Sequence, residues 1–93
     1  FFSDKALQLG LVDEVVEPEE LTHKVNEMIS ILLSNGSQAR RQAKKLSQDV
    51  AFKTIDNALL KDTSERIAAI RVSKEGQEGL SAFFEKRTPN WQK

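Results

Sequence analysis

Cysteine and tyrosine are absent from this 93-residue sequence, and it has only two prolines, one tryptophan and four glycines. Without cysteine there is no disulfide framework, no thiolate metal site and no cysteine nucleophile, a composition that suits a reducing compartment. An excess of either charge is lacking too. Fourteen Lys plus Arg balance fourteen Asp plus Glu, for a formal net charge of +0, which disfavours a protein built to coat a polyanion. Apolar runs are only a few residues long, far short of the roughly 20 that cross a bilayer. No charged-then-apolar signal segment opens the chain, so it is expected to be soluble and not secreted. The scattered glycines cannot build a phosphate-cradling loop.

What is present is enough for one small helical domain. Hydrophobic residues at 39% and charged residues at 30% are too apolar for a disordered tail, and the length admits a single core. Phe1-Phe2 stands where an initiator Met and a polar lead-in are expected, so the sequence is expected to be a piece of a longer polypeptide.

Local signals order the chain into successive helices. Ser3-Asp4 offers cap oxygens for a two-turn helix that Gly10 ends, since glycine takes positive φ without strain. Val12 to Val16 is short and β-branched, and predicts an extended segment whose partner strand is expected outside this sequence, the alternative being a bare linker. Pro18 with Glu19 and Glu20 opens a helix whose Leu21, Val25, Met28, Ile29 and Leu32 form one apolar stripe, ended by Asn35-Gly36. Ser37 is the expected cap of a third helix, with Ala39, Ala43, Leu46 and Val50 on one face and Arg40, Arg41, Lys44 and Lys45 on the other. The alanines would permit close helix approach. Thr54 is the expected cap of a helix reaching about Val72, and Ser73-Lys74-Glu75-Gly76 interrupts the run. Leu80, Phe83 and Phe84 mark a last short helix that closes near Arg87, with both phenylalanines as packing residues.

Few residues here can carry chemistry. His23 is the single histidine, beside Lys24, and reads as a solvated helix-face residue rather than a ligand or base. No serine lies in a nucleophile-elbow or Ser-x-x-Lys pattern. Glu19-Glu20 and Glu75 with Glu78 lie at helix starts, where complementing the helix dipole explains them. Arg40-Arg41-x-x-Lys44-Lys45 is the one basic cluster, and no aromatic side chain interleaves with it for base stacking.

Two stretches carry a family resemblance. Ala6-Leu7-Gln8-Leu9-Gly10-Leu11-Val12-Asp13-Glu14-Val15-Val16, followed by Glu20-Leu21, resembles the stretch after the core of the enoyl-CoA hydratase/isomerase (crotonase) superfamily. Glu75 through Pro89 resembles that family's closing Glu-Gly-x-x-Ala-Phe-x-Glu-Lys-Arg motif. In order and separation the two cover essentially the whole chain.

The resemblance implies an all-α helical array over residues 1–93, corresponding to the C-terminal trimerisation region of the crotonase fold, with one extended segment near residues 12–16. Family members polarise an acyl-CoA thioester carbonyl with two backbone N–H donors, and hydratases move protons and water with glutamates. The resemblance places all of these upstream, so no catalytic residue and no metal ligand is assigned, and the isolated chain is expected to be inactive. The implied parent is an enoyl-CoA hydratase adding water across a 2,3 double bond, with isomerase, decarboxylase or hydrolase chemistry as alternatives. Its substrate is a coenzyme A thioester, and no cofactor is required.

The implied partners are the catalytic core of the same polypeptide, acyl-CoA, and further copies: a trimer or hexamer for the parent, a dimer or larger for the segment. Neither a membrane nor nucleic acid is expected as a partner. RNA binding through Arg40 to Lys45 is kept as an alternative, as is a self-associating module without chemistry. The implied location is the cytoplasm or mitochondrial matrix. Lys86 matches a position where some members offer a lysine to the nucleotide end of CoA, as partner to a phosphate. The alternative is that Lys86 and Arg87 complement the negative end of the last helix. Ile67 matches a position that is aromatic in some hydratases and lines the acyl pocket; the isoleucine departs from that pattern and leaves acyl preference open.

Overall fold

Ser3–Gln8 forms the first helix, α1, in a computed structural model that describes residues 2–92; Phe1 and Lys93 lie outside the described residues. The expected caps Ser3 and Asp4 are inside α1, which begins after Phe2 without a side-chain cap. Its end is as expected: Gly10 takes φ +74°, and the amides of Gly10 and Leu11 donate to the carbonyls of Leu7 (3.0 Å) and Ala6 (2.9 Å). This is the paired-bond helix ending in which a left-handed residue turns the chain back on the last turn.

Residues 11–17 form neither helix nor strand, and no strand occurs among the described residues. The stretch 12–16 therefore pairs with no strand among the described residues. Pro18–Glu20 makes a single 3-10 turn that leads into α2, Leu21–Ser34. Proline suits this start because its missing N–H is one that a helix leaves unpaired anyway.

α3 spans Ser37–Val50, α4 Asn57–Val72 and α5 Lys74–Glu85, and a 3-10 turn at Asn90–Gln92 follows. Ser37 is not the cap of α3; it is the first helical residue, after Gly36. Thr54 is likewise displaced, because Asp56 caps α4 by accepting the Leu59 amide at 2.8 Å. A carboxylate two residues nearer the helix reaches the orphan amide directly. Between α4 and α5 the interruption shrinks to Ser73. Its hydroxyl donates to the Ile70 carbonyl (2.6 Å) and accepts from the Gly76 amide (3.0 Å), so one residue closes α4 and opens α5. Gly76 permits this corner, since a Cβ there would run into the Ile70 carbonyl oxygen, a backbone atom.

The chain divides into two compact units, Phe1–Ile31 and Leu32–Lys93. Ala6 is buried in the first, and Ala82 is the buried apolar residue of the second, where α3, α4 and α5 pack on one another. Many of the large apolar side chains stay exposed, although Leu46, Val50, Leu59 and Ile70 are half-buried. Leu21, Val25, Met28, Ile29 and Leu32 form the expected stripe on α2, yet each is between 43% and 58% exposed. Phe83 and Phe84, expected as packing residues, are both 76% exposed and meet each other edge-to-face at 5.6 Å. Their helix turns its small residue, Ala82, inward, and the aromatic pair is left on the outer face.

Candidate functional site

Lys86 sits at the end of α5 in a left-handed conformation, φ 55° and ψ 42°. The amides of Lys86 and Arg87 donate to the carbonyls of Phe83 (3.3 Å) and Ala82 (3.0 Å), the same bond pairing that ends α1. Lysine at a position glycine prefers costs about 1 to 2 kcal/mol, because Cβ crowds the carbonyl oxygen. The next residue is strongly anchored. The Arg87 guanidinium donates through Nη1 to Oε1 of Glu78 (2.6 Å), through Nη2 to Oε2 (3.1 Å), and through Nε to Glu85 (2.7 Å). Bonds to Glu78 and then Glu85 raise the Arg87 pKa above its ordinary value and secure its charge. Glu78 also accepts the Asn90 amide at 2.9 Å. Trp91 Nε1 and Gln92 Nε2 both donate to the Ser34 carbonyl, at 3.1 and 2.6 Å, tying the tail to the end of α2.

Ile67 lies elsewhere, on a groove of about 250 Å³ between α3 and α4. Ala39, Ala43 and Leu46 form one wall, Thr63, Ile67 and Ile70 the other. The two alanines expected to permit close helix approach, Ala39 and Ala43, both line this groove. Arg66 stands at its edge, paired with Asp49 of α3 and Asp62 of α4 at 2.9 Å each. The Arg66 hydrogen bond outweighs desolvation and holds the Asp49 carboxyl below its usual range. A mostly apolar slot with one charged edge can take an aliphatic group. Lys86 is not among its lining residues, so the two sequence-predicted positions occupy separate features.

Glu75 does more than complement the dipole of its own helix. Its carboxylate crosses to α3 and accepts the amides of Gln38 (3.1 Å) and Ala39 (2.8 Å), with the Ser37 hydroxyl at 3.4 Å. This supplies the cap expected of Ser37, from 36 to 38 residues away. Desolvation raises the Glu75 pKa, but the two amides, the hydroxyl and Arg41 together lower it below the ordinary value. Gly36 keeps the space, as a Cβ there would meet this carboxylate. Neither this cap nor the Glu78 to Arg87 clamp follows a local spacing rule; Gly36, which leaves room for the Glu75 carboxylate, was the available signal for the cap. The basic cluster on α3 is partly neutralised, with Lys45 on Asp49 at 3.3 Å. His23 is exposed on α2, and no group of three or more His, Asp or Glu among the described residues is placed to hold a metal ion.

The arrangement of helices and the closing motif match known proteins. The family model for enoyl-CoA hydratase/isomerase matches residues 1–93. The chain belongs to that family. It is 33% identical over 89 residues to a crotonyl-CoA hydratase of Syntrophomonas wolfei, covering 96% of this chain and 34% of the relative. It is 32% identical over 96 residues to enoyl-CoA hydratase domain-containing protein 3, mitochondrial, of Danio rerio, covering 96% of the chain and 30% of the relative. A crystal structure of an enoyl-CoA hydratase from Shewanella pealeana superposes with a TM-score of 0.87 at 45% identity, over 98% of this chain and 34% of that one. The chain thus spans about a third of the length of the curated relatives it matches, a share that fits the C-terminal region of the crotonase fold. No helix among the described residues is long and apolar enough to cross a membrane.

Proposed function

We propose that these residues form the C-terminal helical region of a longer crotonase-family polypeptide, where they cover the CoA site and pack subunits against one another. In this reading the parent adds water across the 2,3 double bond of an enoyl-CoA. Its oxyanion hole and glutamates lie outside the residues described, and an acyl-CoA thioester is the substrate without any further cofactor. Lys86 meets a CoA phosphate, and Ile67 lines the acyl pocket through the α3–α4 groove. A trimer or hexamer is the assembly, in the cytoplasm or the mitochondrial matrix.

The observation that carries the reading is the half-exposed apolar stripe of α2 in a chain matched throughout by the family model. Five large apolar side chains on one helix face exceed the scattered exposure normal on a monomer, and such faces mark interaction sites. The test is an assay of the purified 93-residue chain for crotonyl-CoA hydration, with its mass by light scattering across micromolar concentrations. The expected result is no turnover and a dimer or larger species. Turnover would mean that the chemistry resides in these helices, and a strictly monomeric mass would overturn the packing role.

A further inference from the structure

The turn that carries Lys86 is built twice in this chain, with a different residue at its left-handed position. At the end of α1 that residue is Gly10, and at the end of α5 it is Lys86, with the same pair of amide-to-carbonyl bonds. The hydrogen-bond pattern alone does not select lysine, since glycine adopts it with less strain. A strained non-glycine residue persists where its surroundings over-determine it, and such residues concentrate at ligand-binding positions.

Those surroundings are in place around Lys86. Glu78 grips Arg87 with both carboxylate oxygens and takes the Asn90 amide as well, so the chain is fastened immediately after Lys86 and again four residues on. Before Lys86 the turn is fastened by the helix itself. Glu85, the adjacent carboxylate that could neutralise Lys86, is instead bound to Arg87 Nε at 2.7 Å. Lys86 makes no ion pair with another described residue. The clamp therefore does two things: it holds the strained backbone, and it occupies the neighbouring negative charge so that the ammonium stays uncompensated.

We infer that Glu78 and Arg87 are positioning residues, whose clamp holds the left-handed turn so that the Lys86 ammonium is presented ready for a phosphate of the CoA ligand. This rests on the reading of Lys86 given above. Binding gains from such pre-organisation because the turn is not ordered at the moment of association.

The test is calorimetric titration of CoA into the intact protein and its variants Lys86→Met, Glu78→Gln, the double variant and Lys86→Gly. Lys86→Met is expected to weaken CoA binding about tenfold, the scale of one charge-assisted contact. Glu78→Gln still accepts the Asn90 amide but loses the charged grip on Arg87. It is expected to weaken binding about threefold to tenfold alone and less than about twofold in the Lys86→Met background, since coupled residues do not add. Lys86→Gly is expected to raise the thermal midpoint while weakening CoA as Lys86→Met does, a split that a purely structural lysine would not show. The positioning role is overturned if Glu78→Gln binds CoA like the wild type while Lys86→Met does not, or if it loses the same factor in both backgrounds. A lowered midpoint for Lys86→Gly would remove the strain argument and overturn the inference. Wild-type affinity in Lys86→Met would overturn the phosphate reading itself, and the positioning role with it.

Discussion

The unit up to Ile31 and the unit from Leu32 onward both leave large apolar side chains in the open, but they secure their helix ends by different means. In the first, α1 ends on Gly10 with backbone bonds alone, and the ion pairs of Lys24 with Glu14 (3.1 Å) and Glu27 (3.0 Å) lie on the surface. In the second, side chains reach across from other helices: Glu75 caps α3, Arg66 links α3 to α4, Glu78 grips the tail, and Trp91 binds the end of α2. Exposed ion pairs contribute little to stability, whereas orphan helix amides are expensive to leave unpaired. The difference teaches that helix ends in the second unit are satisfied by side chains from distant positions, while those of the first rely on their own backbone.

Substitutions at the corner between α4 and α5 should break this contrast most strongly. Gly76→Ala places a Cβ against the Ile70 carbonyl and should destabilise the second unit by about 1 to 3 kcal/mol, the range for forcing extra volume into a filled site. A urea midpoint equal to wild type would show that the corner is looser than its geometry.

Removing the cross-chain cap comes next. Glu75→Ala should destabilise by about 1 to 2 kcal/mol, as the loss of a helix cap does. Because the folded Glu75 carboxyl lies below its ordinary 4.5, its contribution is complete above that pH and is lost as the pH falls through the depressed folded value. The variant should therefore lose less stability than wild type between neutral pH and acid. Some acid sensitivity will remain, since Glu27 and Asp49 are lowered too. Parallel pH profiles of the thermal midpoint would contradict the cap.

In the first unit, Gly10→Ala tests backbone strain alone, because nothing lies within 4 Å of a Cβ there and φ is +74°. The expected loss is about 1 kcal/mol, read as a lower thermal midpoint. The smallest effect belongs to Phe83. At 76% exposure, Phe83→Ala should stay within about 0.5 kcal/mol of wild type in this chain. A loss of several kcal/mol would mean that the aromatic pair is core, as its helical spacing had led one to expect.

Much of this was legible along the chain. Pro18, Asn35-Gly36 and Gly10 mark boundaries because each acts on the backbone of its own neighbourhood, and the α2 stripe follows from helical period alone. Ile67 and Lys86 came from motif resemblance, and the structure places them on a groove and on a helix end. The caps at Thr54 and Ser37 were misjudged because several oxygens compete near a helix start and only geometry selects among them. Asp56 wins locally and Glu75 wins from a distant helix.

The residue order by itself determined the helices, their apolar faces, and the family, since periodicity, turn residues and a closing motif are all local properties. Tertiary structure alone decided which polar end groups meet from distant parts of the chain. The bonds of Glu75 to α3, of Glu78 to Arg87 and of Trp91 to Ser34 join residues between 9 and 57 positions apart. No spacing rule reaches that far, because such pairs meet only after the helices have packed and brought an unpaired donor or acceptor within hydrogen-bond range.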